Sequence, residues 1–172
     1  MILSPRAVER FNTFKPPRAI PKIFRLAPKG KLDLKIFSGS VINTISLLAI
    51  EDLLGVMKWS KSVGGNQGLI DRTDANLAAV TEFVDKTPWI DFLCQDEALR
   101  SSTSVCLTLD LPADKVKALA ALLNDEGVAY DIGAYKNAPP GLRIWCGATV
   151  ETADVEKLMP WIEWAYHEVS AQ

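Results

Sequence analysis

The side chain with the clearest chemical promise is Arg143, in Ala138-Pro-Pro-Gly-Leu-Arg-Ile-Trp-Cys-Gly-Ala148. Pro139, Pro140 and Gly141 spell a turn, and Leu142 to Cys146 read as a buried strand. A charge on such a strand needs an anion, and nothing beside it in sequence provides one. A planar guanidinium with five donors suits a carboxylate held by two parallel hydrogen bonds. A core Asp or Glu, or snorkelling to the surface, would also satisfy it. Lys136 lies earlier, on a loop. Paired with Arg143 across the Pro-Pro-Gly turn it would recognise a dianion such as phosphate; alone it is a solvated lysine. Asn43 and Thr44 are good capping residues ahead of a long apolar stretch. The free N–H groups and dipole of a helix beginning there make an anion site, unless the cap serves only its own helix. The single histidine, His167, falls late in an amphipathic helix with no motif around it, as a surface or half-buried helix residue does. No His/Cys/Asp/Glu group has metal-ligand spacing, and no phosphate-binding glycine loop follows a strand.

These residues need elements to place them. Met1 to Leu3 reads as a very short strand, and Ser4-Pro5 as a helix start, with a hydroxyl cap and proline at the first helical position. That helix runs through Ala7, Val8 and Phe11. Residues 12 to 40 are basic and broken by Pro16, Pro17, Pro21 and Pro28, with Ile20 to Leu26 extended. Leu47, Ile50, Leu54 and Met57 share a helical face that Leu48, Leu53, Val56 and Trp59 widen, so this helix expects cover on most sides. Gly64-Gly65 ends it, and a second helix fits 66 to 85, with Ile70, Thr73, Leu77, Val80 and Val84 inward. Beyond Lys86-Thr-Pro the chain alternates. Strands fit Trp89 to Leu93, Ser104 to Asp110, Val128 to Ile132 and Leu142 to Cys146. One helix opens at Pro112 and closes at Gly127, and a last one carries Val155, Leu158, Ile162, Ala165 and Val169, kinked or split at Pro160. Residues 86 to 172 therefore read as a small α+β unit of about four short strands with two helices on one face, after two long helices.

Composition narrows the partners. An apolar fraction of 48% is enough for a core, and a net charge of −2 gives no field that attracts nucleic acid or an anionic membrane. The apolar neighbours of Cys94, Cys106 and Cys146 point to reduced, buried thiols in a cytoplasmic protein. No apolar run approaches the length of a membrane span.

Longer blocks carry a family resemblance. Ser4-Pro-Arg-Ala-Val-Glu-Arg10, Pro21-Lys-Ile-Phe-Arg25, Ile42-Asn-Thr44, Lys86-Thr-Pro-Trp-Ile-Asp-Phe92, Thr103-Ser-Val-Cys106, Gly127-Val-Ala-Tyr-Asp-Ile-Gly-Ala-Tyr135 and Ala138-Pro-Pro-Gly-Leu-Arg-Ile-Trp-Cys-Gly-Ala-Thr-Val-Glu151 resemble, in order, the phosphoserine aminotransferases, in the form common in alphaproteobacteria. The resemblance implies an α/β protein with the fold-type I architecture of pyridoxal-phosphate enzymes. Within it, residues 1–85 would be the end of the large cofactor-binding domain and 86–172 the small C-terminal α+β domain, with a short, mainly antiparallel sheet. It implies a cytoplasmic homodimer that moves an amino group between glutamate and 3-phosphohydroxypyruvate in serine synthesis. Asn43 and Thr44 would reach across that dimer to the cofactor phosphate. Arg143 would grip the substrate carboxylate, and Lys136 would help bind its phosphate, where similar members carry arginine. Lysine keeps the charge and loses the planar fork.

The family's Schiff-base lysine belongs just ahead of the part that matches Met1 to Arg10, and none of the lysines here sits in its motif. The expectation is a C-terminal part with no catalytic residue of its own, inactive alone, whose apolar helices expose surface that other parts of the enzyme cover. The competing reading is a free-standing α+β module that binds a small anion or a protein without chemistry; a different aminotransferase of the same fold is a third.

Overall fold

The computed structural model describes residues 2–171. They fall into two compact units, Met1–Val56 and Met57–Gln172. In the first, helix α1 spans Pro5–Thr13, with the Ser4 hydroxyl accepting from the Ala7 amide at 3.2 Å and Pro5 in the first turn, as the sequence predicts. The expected opening strand is absent: Ile2 and Leu3 are not in a strand, and Met1 lies outside the described residues. The proline-rich segment is irregular apart from two tight turns of helix, Lys22–Phe24 and Leu34–Ser38. Ile20 to Leu26 is thus not one extended piece.

Helix α2 covers Leu47–Ser62 and helix α3 Gly65–Lys86. Gly64 between them has φ +104°, a left-handed conformation that a side chain resists. The start of α2 corrects the sequence reading. The helix begins after Ser46, whose hydroxyl accepts from the Ala49 amide at 3.3 Å and whose carbonyl accepts from the Ile50 amide at 3.2 Å. Asn43 and Thr44 precede this cap and do not make it.

The second unit holds strands β1 (Ile90–Phe92), β2 (Ser104–Leu109) and β3 (Gly141–Trp145), with helix α4 (Ala113–Asp125) between β2 and β3 and helix α5 (Thr152–Ser170) after them. The sheet is antiparallel in the order β1-β2-β3. Alternation sorts its faces. Ile90, Phe92, Val105, Leu107, Leu142 and Ile144 are buried with Leu119 and Leu123 of α4 and Ile162 and Ala165 of α5. Arg143 and Trp145 point the other way, across from Cys106 and Ser104. Helix α3 packs on α5 and adds Val80 and Val84 to the core.

The fourth expected strand, Val128 to Ile132, does not form. Asp131 takes φ +52°, which breaks the extended run, and a single bridge, Gly133 to Leu142, remains. The buried Ile132 side chain accounts for the strand-like text. Helix α5 runs through Pro160 without splitting. Of the three cysteines only Cys146 is buried; Cys94 and Cys106 are half-buried.

Candidate substrate-anion site

Arg143 is brought to the open face of the sheet by the pairing of β3 with β2, where it stands opposite Cys106. That pairing needs Gly141 at the strand start: a Cβ there would come within 2.0 Å of the Leu107 carbonyl. On the other side of β3 the Arg143 amide donates to the Ile132 carbonyl at 2.7 Å. The guanidinium is therefore fixed to a segment, Asp131 to Tyr135, that runs alongside β3.

This segment also supplies the anion that the sequence did not reveal. Nη2 of Arg143 donates to Asp131 Oδ2 at 2.6 Å and to the Asp131 carbonyl at 3.1 Å. The Arg143 side chain is 25% exposed and that of Asp131 91%. The Tyr135 ring covers the guanidinium, with its centroid 4.6 Å from Cζ, and the Tyr135 hydroxyl donates to Ser104 Oγ at 3.5 Å. Nε of Arg143 is buried and unpartnered. Tyr135 first, and then Asp131, hold the Arg143 guanidinium above its ordinary value, so it stays cationic. Ser104 first, and then Arg143, hold the Tyr135 phenol below its usual range. A cleft of about 430 Å³ opens here, bounded by Asp131, Arg143, Ser104, Tyr130 and Trp145.

Lys136 directly follows Tyr135, exposed, in a turn closed by the Ala138 amide donating to the Tyr135 carbonyl at 2.9 Å. No ion pair engages it among the described residues. The structure thus sets Arg143 against the Tyr135 ring, with Lys136 next to that tyrosine in sequence on the exposed turn. Asn43 and Thr44 lie in the other unit, on the exposed loop before α2, and their side chains hold no hydrogen bond among the described residues.

Comparison with known proteins gives this arrangement its context. No family model matches the chain. The phosphoserine aminotransferase of Methanosarcina mazei is 56% identical over 166 residues, 96% of this chain and 45% of that protein. That of Methanosarcina barkeri is 56% identical over 169 residues, 98% of this chain and 46% of that protein. This chain is homologous to the C-terminal part of phosphoserine aminotransferases. It spans somewhat less than half the length of the curated relatives it matches. In fold, the phosphoserine aminotransferase from Bacillus circulans subsp. alkalophilus superposes with a TM-score of 0.69 at 19% identity, over 77% of this chain and 36% of that one. A phosphoserine aminotransferase studied for radiation damage of its Schiff base gives 0.68 at 17%, over the same shares. The architecture is accordingly that of fold-type I aminotransferases, here helical with a small antiparallel sheet.

Two members of the site escaped sequence reasoning. Asp131 was missed because Val128 to Ile132 reads as a strand; a left-handed residue that pairs with Arg143 across an intervening turn leaves no local signal. Tyr135 was missed because an aromatic next to a loop lysine ordinarily signals packing. Asn76 supports the site from behind. It is wholly buried on α3, and Nδ2 donates to the carbonyls of Cys146 at 3.1 Å and Val150 at 3.2 Å. Its Oδ1 accepts from Thr152 Oγ1 at 2.7 Å, so the loop leaving β3 is tied to α3.

Proposed function

We propose that this chain is the C-terminal part of a pyridoxal-phosphate-dependent phosphoserine aminotransferase, which exchanges an amino group between phosphoserine or 3-phosphohydroxypyruvate and 2-oxoglutarate or glutamate in serine synthesis. The observation that carries the reading is 56% identity along nearly the whole chain. Arg143 binds the substrate carboxylate by charge-assisted hydrogen bonds, and Lys136 attracts the phosphate as a point charge. The Tyr135 ring over Arg143 fixes the guanidinium plane and so the orientation of the bound molecule. The cofactor, when bound, is the electron sink that makes the amino exchange feasible. Asn43 and Thr44 fit its phosphate: they offer an amide and a hydroxyl donor, uncommitted and exposed, on a loop that can reach a second subunit of a homodimer. In this reading residues 1–85 end the large domain, residues 86–172 form the small one, and the enzyme works in the cytoplasm.

The 172-residue polypeptide by itself is expected to show no turnover of phosphoserine with 2-oxoglutarate and added pyridoxal phosphate, because it offers no lysine in the cofactor-linking motif. Joined behind the part of the Methanosarcina mazei enzyme that it does not match, it should turn over. Arg143→Ala should then lower kcat/KM by about 10²–10³-fold, as loss of one buried-edge charged contact does. Activity of the joined protein that is indifferent to Arg143→Ala would remove the assignment. A preference for serine over phosphoserine would favour another aminotransferase.

A further inference from the structure

We infer that Asp131 is an internal carboxylate that occupies Arg143 and sets how tightly it takes a carboxylate ligand; this rests on Arg143 being the carboxylate site. The hydrogens on the guanidinium are limiting. A bidentate carboxylate uses either the Nε and Nη2 edge or the Nη1 and Nη2 edge, so it always needs Nη2. Nε is buried, which leaves the Nη1 and Nη2 edge. Nη1 has no hydrogen bond among the described residues, but Nη2 already donates to two acceptors, the Asp131 carbonyl and its carboxylate. A ligand that grips Arg143 with two hydrogen bonds must therefore take one of these places.

The carbonyl is part of the backbone and cannot leave. Next to it the Ile132 carbonyl is bound to the Arg143 amide at 2.7 Å, which anchors the segment to β3. The Asp131 carboxylate is almost fully exposed and swings out by rotation about its own side-chain bonds. Its negative charge also opposes an incoming anion for as long as it stays. Position does not depend on it, because the carbonyl and the Tyr135 ring already hold the guanidinium. Asp131 thus competes with the ligand and does not orient Arg143 for it.

The test is an NMR titration of the ¹⁵N-labelled 172-residue chain carrying Leu48→Glu and Leu53→Glu to keep it dispersed, observing the backbone amide signals of Gly133 and Leu142 beside Arg143 as acetate and, separately, O-phosphoserine are added. Asp131→Asn and Asp131→Gly both tolerate the left-handed backbone and keep the fold. Each should tighten both ligands about two- to five-fold over the unchanged chain, the range an exposed ion pair allows. Asp154→Asn, a surface change elsewhere, should leave them unaltered. Unchanged or weaker binding in both Asp131 variants, with Arg143→Ala still abolishing it, would overturn the role of Asp131 and leave Arg143 as the carboxylate site. Acetate binding that survives Arg143→Ala, or no saturable shift in any variant, would overturn the Arg143 assignment and this inference with it.

Discussion

Arg143 and Cys146 show how far neighbouring residues on one segment diverge once a fold surrounds them. The guanidinium faces an open cleft, while the Cys146 thiol is buried in the core, and burial pushes it up to about 11. Its value in the folded chain lies above its unfolded value near 9. The neutral thiol therefore contributes stability that is fully present below about pH 9 and is lost as pH rises towards about 11. Urea midpoints should fall between about pH 8 and 10.5, and less steeply in Cys146→Ala; parallel slopes would contradict this. Under native conditions a thiol reagent should count Cys94 and Cys106 and reach Cys146 only after unfolding.

Among the elements, α3 does most to fix the loop behind the site. Asn76 holds the Cys146 to Thr152 stretch through its amide, and Arg72, one turn earlier, donates from Nε to the Ala148 carbonyl at 2.7 Å and pairs with Glu151. The Arg72 pair is solvated and contributes little by itself. Asn76, by contrast, is wholly buried. Asn76→Ala strands buried acceptors and should cost about 2–3 kcal/mol in chemical denaturation; a loss below about 0.5 kcal/mol would show that the loop is held by other means. Helix α4 is fastened differently, by apolar packing of Val116, Leu119 and Leu123 with Ala120 and Leu122 beside them, and Gly127 at φ +70° follows its end.

At the scale of the whole molecule, the most telling feature is the surface of α2. Leu47, Leu48, Leu53, Leu54 and Val56 are each more than half exposed, a contiguous apolar display that a stable monomer rarely carries. The polypeptide should bind a hydrophobic dye and self-associate at micromolar concentration, and Leu48→Glu with Leu53→Glu should reduce both. A monodisperse, dye-negative species in light scattering would count against this. Helix α3 belongs structurally with the sheet and helices C-terminal to it: Val80 and Val84 join the core of β1, β2, α4 and α5, and Phe83 meets Trp89, which stacks on Tyr166 at 3.8 Å.

Periodicity and punctuation determined much of this. The alternation of Val105 and Leu107 marks β2, the Ser4-Pro5 pair marks α1, and Gly64 and Gly127 mark helix ends, because these signals act over a few residues and need no partner. The long blocks determined the family for the same reason: they are read residue by residue, without a fold. Ser46, a competing cap bonded to the Ala49 amide, settled locally where Asn43 and Thr44 stand; the rest fell to tertiary structure. Only it denied Val128 to Ile132 a strand, through one left-handed residue. And only it found the partner of Arg143. Asp131 reaches that guanidinium because a turn folds its segment back along β3, and a contact made by return of the chain is set by the path between the two residues and not by their types.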